Sequence, residues 1–269
     1  MSTPLLEVRD LRVEFTLRRA LYERARVTAL DSVSLSLSSG ETLGVVGESG
    51  AGKSTLARAI LRLVPATSGA IVCCGRDWLA LRGEALRRAR RDVQIVFQDP
   101  LGSLDPRMTI GEILAEPLRT YLPAEGRAAR QARIARMLAT VGLAASMSGR
   151  YPREFSGGEC QRVGIARAML AEPKILICDE ATSSLDVSIR GQIVNLLKDL
   201  QRECGTAILF VSHDLGVVRH LCHRVLVMQS GRVVEEAPAA SLFAAARHPY
   251  TRALLAAIPM IPAIANPRT

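Results

Sequence analysis

The sequence predicts an α/β fold: a parallel sheet covered by helices on both faces, an antiparallel β subdomain beside it, and a helical subdomain inserted into it. Apolar runs of strand length (TLGVV, KILIC, TAILFV) alternate with amphipathic helical stretches. Strands apolar on both faces belong to a parallel sheet buried on both sides. Polar punctuation falls at the C-terminal ends of these runs, where open α/β sheets bind ligands. The stretch 99–159 holds no comparable buried strand and reads as helix.

The elements follow in order. Residues 5–15 and 32–39 alternate apolar and polar side chains, as half-buried antiparallel strands do. Between them, LRRALYERARV reads as a local insertion. ETLGVVGESGAGKSTLARAILRLV reads as strand, glycine loop and helix, and VQIVF at 93–97 as a short apolar strand. QDPLGSLDPRMT is a loop punctuated by proline and glycine, and 110–148 is helical and rich in alanine and arginine. A helix is expected over 160–171. KILICDEA is a buried strand ending in acids, followed by an amphipathic helix from Asp186 to Cys204. TAILFVSHD is another buried strand, RVLVMQSGRVVEE a hairpin around Ser230-Gly231, and a proline-broken helical tail begins near 240. The implied division is a core with its β subdomain at 1–98 and 160–236, a helical subdomain at 99–159, and a tail at 237–269.

Composition narrows the function classes. The chain has 269 residues, 48% hydrophobic and 23% charged, which is a globular composition with enough length for one large core and an inserted subdomain. Aromatics at 4% argue against a stacking platform for single-stranded nucleic acid. The net charge of +9 suits nucleic acid, an anionic membrane surface or anionic ligands, and its densest run, ALRRARR at 85–91, reads as the solvated face of a short helix. The six cysteines have no C-x-x-C spacing and lie mostly in apolar runs, so they read as small core residues of a reducing compartment. The N-terminus lacks a signal peptide's apolar centre, and no run approaches the roughly 20 apolar residues of a membrane span. A cytoplasmic chain that cannot cross a bilayer by itself is expected.

Residues 47–54, GESGAGKS, match G-x-x-x-x-G-K-[ST] between a strand and a helix. Gly47, Gly50 and Gly52 let the backbone wrap a phosphate chain. Lys53 places a positive charge at the β and γ phosphates, and Ser54 offers a hydroxyl to Mg²⁺. The whole run Gly47, Glu48, Ser49, Gly50, Ala51, Gly52, Lys53, Ser54, Thr55 is the candidate phosphate site. Asp179 and Glu180 end a buried strand. Alone they could be loop or capping charges; beside a phosphate loop, Asp179 can reach Mg²⁺ and Glu180 can polarise an attacking water. His213 and Gln98 end two further apolar strands, where a histidine can contact the γ phosphate and a neutral amide can sense Mg²⁺ and the water. A second Ser-Gly-Gly loop, FSGGECQR at 155–162, opens a helix and can also hold an anion.

The order of these motifs along one domain resembles the ATP-binding subunit of an ABC transporter, over about residues 5–260. The resemblance implies a P-loop NTPase (RecA-like) core, ATP and Mg²⁺ as ligands, and ATPase activity. It implies that two such domains face each other head to tail, so that Ser156, Gly157 and Gly158 hold the γ phosphate of the partner's ATP, with Asp186 of SSLD in the same nucleotide-binding set. The metal would be held by Ser54, Gln98 and Asp179, with Glu180, His213, Lys53 and Gln98 acting in catalysis. For adenine the family uses an upstream aromatic ring, here Phe15, with Tyr22 as a rival. Glu159 stands where the family usually has glutamine, and Ala181 where proline is commoner. Glu159 could weaken phosphate binding if it points inward, and Ala181 changes backbone stiffness rather than chemistry.

VFQDPLGSLDPRMTIGEILAEPL, ICDEATSSLDVSIRGQIVNLL and the tail HPYTRALLAAIP resemble the oligopeptide/dipeptide/nickel importer group. That likeness implies two membrane permease subunits, a second ATP-binding subunit (a related chain favoured over a copy), and an extracytoplasmic solute-binding protein reached indirectly. It places the chain on the cytoplasmic face of the cell membrane, with no nucleic-acid partner. With no cysteine after Cys222, no iron–sulfur cluster is expected. A soluble ABC-type ATPase acting on nucleic acid or ribosomes is the alternative. A GTPase lacks its N-K-x-D motif here, and a small kinase would leave FSGGECQR unexplained.

Overall fold

The computed structural model describes residues 3–18 and 24–257. Its centre is a six-stranded sheet. β3 (Thr42–Val46), β6 (Val93–Val96), β7 (Ile175–Asp179), β8 (Ala207–Val211) and β9 (Arg224–Gln229) run parallel, and β10 (Arg232–Pro238) pairs antiparallel with β9 at one edge. The order is β10-β9-β3-β8-β7-β6. The loops after β3, β8, β7 and β6 therefore emerge side by side along one edge.

Burial of these strands on both faces follows from their period of two. In β8, Ala207, Leu209 and Val211 point into one core and Ile208 and Phe210 into the other. In β7, Ile175 and Ile177 oppose Leu176 and Cys178 in the same way. The first core also receives α1 (Lys53–Ile60), through Leu56, Ala57 and Ile60, and a second sheet. That sheet is antiparallel, β1 (Leu6–Arg18), β2 (Arg24–Leu37), β4 (Ser68–Cys73) and β5 (Arg76–Asp77), in the order β2-β1-β4-β5. After it comes α2 (Gly83–Ala89), whose Arg87 and Arg88 are exposed and paired with Glu84, the solvated face expected of the arginine run.

The other core holds the remaining helices. These are α3 (Ile110–Tyr121), α4 (Arg127–Thr140), α5 (Gly157–Met169), α6 (Val187–Cys204), α7 (Leu215–Leu221), α8 (Ala239–Ala245) and α9 (Pro249–Ala256). α3 starts at a capping box in which Thr109 accepts from the Glu112 N–H and Glu112 accepts from the Thr109 N–H. α6 ends at Gly205, whose φ of 66° is the left-handed conformation a glycine adopts most readily.

Several local expectations shift. β2 begins at Arg24 rather than 32, so part of the supposed insertion is strand, paired with β1 through Phe15↔Val27 and Leu17↔Ala25. Arginines at 24 and 26 interrupt the apolar alternation there. Tyr22 lies outside the described residues. The strands β4 and β5 were not anticipated, because β4 starts on three exposed residues and β5 is two residues long. The cysteines divide: Cys73, Cys160, Cys178 and Cys222 are buried, Cys74 is half-buried and Cys204 is exposed.

Candidate active site

The glycine loop joins β3 to α1 and turns under close constraint. Gly47 has φ 151°, and a Cβ there would lie 2.2 Å from the Met228 carbonyl oxygen. Gly52 has φ 99°, and its Cβ would meet the Ala29 carbonyl at 2.7 Å. Both positions exclude a side chain. α1 opens with no side-chain cap and no acid in its first turn, so its N–H groups and dipole stay free for an anion.

Lys53 is 4% exposed, and its Nζ donates to the Gly47 and Glu48 carbonyls, both at 2.8 Å. Burial pulls its ammonium below the ordinary lysine value, while the Glu180 and Asp179 carboxylates pull the other way. The loop walls a cavity of about 180 Å³, with Glu180 on the opposite side. Ser49, Gly50, Gly52, Lys53, Ser54 and Thr55 line it, and so does Ala29 of β2.

Asp179 ends β7 almost fully buried, and Ser54 Oγ donates to its Oδ1 at 2.8 Å. Burial raises the Asp179 pKa, with the Ser54 hydrogen bond opposing. Glu180 takes φ 51°, uncommon for a residue with a side chain, while its N–H donates to the Val211 carbonyl at 2.9 Å. The turn swings its carboxylate from the sheet edge into the cavity. His213, one residue beyond the end of β8 and Ser212, brings Nδ1 to 3.4 Å from Glu180 Oε2. Gln98 lies just past β6 with an exposed side chain, and its carbonyl accepts from Ser184 Oγ at 3.3 Å.

Phe15 and Val27 face each other across β1 and β2, 37% and 44% exposed. Val27 lies two residues before Ala29, which lines the cavity and falls at a register shift of the β1–β2 pairing.

A second group sits elsewhere. Ser156, Gly157, Gly158 and Asp186 do not line the cavity. They adjoin one another: a Cβ on Gly157 would meet Leu185 Cδ2 at 4.0 Å, and one on Gly158 would meet Ile189 Cγ2 at 2.6 Å. Ser156 caps α5, its Oγ accepting from the Glu159 N–H at 3.3 Å. Glu159 Oε2 accepts from the Ser156 N–H and Oγ, both at 2.8 Å, so the carboxylate folds back onto the loop. Those bonds hold the Glu159 carboxyl below the usual carboxylate range. Asp186 opens α6 with no side-chain cap, beside Val187, which is 82% exposed.

Sequence reasoning missed the outer wall of the loop. Gly231, in the β9–β10 turn, donates to the Ala51 carbonyl at 3.0 Å, and its own carbonyl accepts from the Asp31 N–H at 2.9 Å. Nothing in a plain Ser-Gly turn advertises that contact. Among the described residues, no helix is long and apolar enough to cross a membrane.

Known proteins share this arrangement. The family model for the ABC transporter matches residues 30–183, and that for the oligopeptide/dipeptide transporter C-terminal region matches 234–267. The oligopeptide transport ATP-binding protein OppF of Salmonella typhimurium is 52% identical over 260 residues, 95% of this chain and 78% of its own. The glutathione import ATP-binding protein GsiA of Escherichia coli is 52% identical over 261 residues, 96% of this chain and 41% of its own. The dimeric post-hydrolysis structure of the ATP-binding cassette MJ0796, bound to ADP and Pi, superposes with a TM-score of 0.78 at 29% identity, covering 87% of this chain and 98% of that one. A phosphate-sized cavity between a glycine loop and strand-end acids, in a chain whose relatives are half identical over nearly its whole length, makes this protein a member of the ABC transporter family and an ATP-hydrolysing enzyme.

Proposed function

We propose that the chain is the ATPase subunit of a peptide importer, lying against the cytoplasmic face of the cell membrane beneath two permease subunits and working as a dimer with a related ATP-binding subunit. The observation that carries this is the separation of the candidate phosphate-site residues into two groups, joined to a tail of the oligopeptide-transporter type. The cavity of about 180 Å³ is lined by the glycine loop, Ala29 and Glu180, and by none of Ser156, Gly157, Gly158 and Asp186. Ser156, Gly157 and Gly158, with Asp186 beside them, would close the γ phosphate of the opposite subunit's ATP.

The residues at the cavity fit Mg²⁺. Ser54 Oγ and Asp179 Oδ1 stand 2.8 Å apart, two hard oxygen donors at the base of a phosphate site. Ser54, Asp179 and Gln98 would hold the ion, which when bound neutralises charge on the β and γ phosphates. Glu180 orients and polarises the attacking water, and His213 steadies the Glu180 carboxylate and the γ phosphate. Lys53 exchanges its two loop carbonyls for phosphate oxygens, at little cost because the ammonium is already desolvated. Phe15, beside Val27, offers adenine an apolar face.

The densest basic run is partly neutralised, Arg87 and Arg88 pairing with the single carboxylate of Glu84 and Arg91 with Glu172, which gives no specific support to a nucleic-acid partner. The deciding experiment is a mild-detergent pull-down of the tagged chain from its own cells, read by mass spectrometry. Two multi-span membrane proteins, a second ATPase and a solute-binding protein are expected. Recovery of ribosomal or nucleic-acid-associated proteins alone would overturn the import reading and leave the ATPase standing.

A further inference from the structure

One contact to the phosphate loop comes from far along the chain. The Tyr250 hydroxyl, in α9 of the tail, accepts a hydrogen bond from the Glu48 N–H at 3.0 Å, across 202 residues of sequence. The tail is held for this purpose on its other side. Glu235 of β10 accepts from the N–H groups of Arg247 at 2.8 Å and His248 at 3.0 Å. His248 Nδ1 caps α9 by accepting from the Tyr250 N–H at 3.3 Å, and Tyr250, Leu254 and Leu255 pack on the helical core.

Glu48 is the first residue of the exposed part of the loop. It follows Gly47, and its carbonyl accepts from Lys53 Nζ at 2.8 Å and from the Ala51 N–H at 3.1 Å. Its N–H would otherwise be free to rotate away with the loop. Gly231 braces the loop at Ala51, and Tyr250 braces it at Glu48.

We propose that Tyr250 is a positioning residue for ATP binding: its hydroxyl holds the Glu48 peptide so that the phosphate loop keeps its wrapped shape before nucleotide arrives, which makes the C-terminal tail part of the nucleotide site. A preformed loop loses less freedom on binding, so the effect falls on affinity. Glu180 and His213 stand in the loops after β7 and β8, and turnover at saturation is independent of the contact. The inference rests on the ATPase identity alone and is indifferent to what is imported.

Tyr250→Phe keeps the ring and removes the acceptor. The full-length chain is titrated with ADP, and with ATP in the absence of Mg²⁺, by calorimetry. The dissociation constants rise roughly three- to ten-fold, the loss of about one neutral hydrogen bond. In steady state KM for ATP rises by a similar factor while kcat is unchanged. Hydrogen exchange at the Glu48 amide quickens several-fold, with the amides of β3 as the internal control against global loosening. Tyr250→Ala lowers the melting temperature as well, because it also removes packing. Wild-type affinity and wild-type Glu48 exchange in Tyr250→Phe would overturn the proposal. So would an affinity loss confined to Tyr250→Ala, which would leave Tyr250 a packing residue only. Failure of the wild-type chain to bind adenine nucleotide would count against the ATP site itself.

Discussion

Asp179 is a residue whose environment opposes its charge. It is 5% exposed, at the end of a strand buried on both faces, with Glu180 beside it. Burial leads the shift, raising its pKa above the ordinary value; the Ser54 hydroxyl and the Arg58 and Lys53 cations recover part of the loss. A carboxyl with a raised folded-state pKa contributes stability fully below its unfolded pKa and loses it as pH rises through the folded value. The nucleotide-free chain therefore carries a penalty at neutral pH that vanishes in acid. Asp179→Asn is expected to melt higher than wild type at pH 7 without nucleotide, with the gap closing as pH falls to 4 and below. The same variant should lose most of the extra thermal stability that MgATP confers. Equal melting curves at pH 7, or a gap that widens in acid, would contradict this account. Glu180 shows the same trade in backbone form: a φ of 51° is accepted at the sheet edge because it delivers the carboxylate to the cavity.

At the scale of elements, the loop between β6 and α3 is tied to α5. Arg167, on α5, donates to the Ser103 carbonyl at 2.7 Å, and Ser156 opens that same helix. Within the loop, Asp105 accepts from the Arg107 N–H at 2.9 Å, and its carboxylate is paired with the guanidinium at 2.9–3.0 Å, which holds it down to about 2. The carboxylate therefore stays charged across the physiological range, beside its guanidinium partner. Proline at 106 stiffens the backbone between the two. In the proposed assembly, the Arg167–Ser103 bond would carry a movement of α5 toward a partner's ATP to this loop. Asp105→Ala and Pro106→Ala should keep ATPase turnover within about two-fold, because neither touches the phosphate cavity, while solute moved per ATP falls several-fold in reconstituted vesicles. An unchanged ratio of transport to hydrolysis would remove this loop from the coupling route.

For the whole molecule, the two faces of the site predict an assembly that follows the chemical step. Glu180→Gln keeps the shape and hydrogen bonds of the side chain but removes the charge that polarises water. ATP should still bind and draw two ATP-binding subunits together, and turnover should fall by about 10²–10⁴-fold, the usual contribution of a positioned general base. Gel filtration with ATP then resolves a stable dimer that wild type, by hydrolysing, does not accumulate. Wild-type turnover in this variant would dismiss Glu180 as the base.

Much of this was legible in the residues themselves. Strand alternation against helix periodicity, and the glycine loop between TLGVV and TLARAILRL, are local properties: a run apolar on both faces has few places to be but inside a parallel sheet, and Gly-Lys-Ser at a helix start has a backbone reason to meet phosphate. The tertiary structure decided which local signals meet. Only sheet order sets the ends of β3, β8, β7 and β6 side by side, so that Ser54 reaches Asp179 and His213 reaches Glu180. β4, exposed over its first three residues, and the two-residue β5 carry little apolar pattern, because backbone pairing does not require it. The hairpin at Ser230-Gly231 and the tail HPYTRALLAAIP were visible in the sequence, but the bracing contacts of Gly231 and Tyr250 with the loop were not. Each is a single hydrogen bond to a backbone group, which any residue offers, and only long-range packing determines which residue supplies the partner.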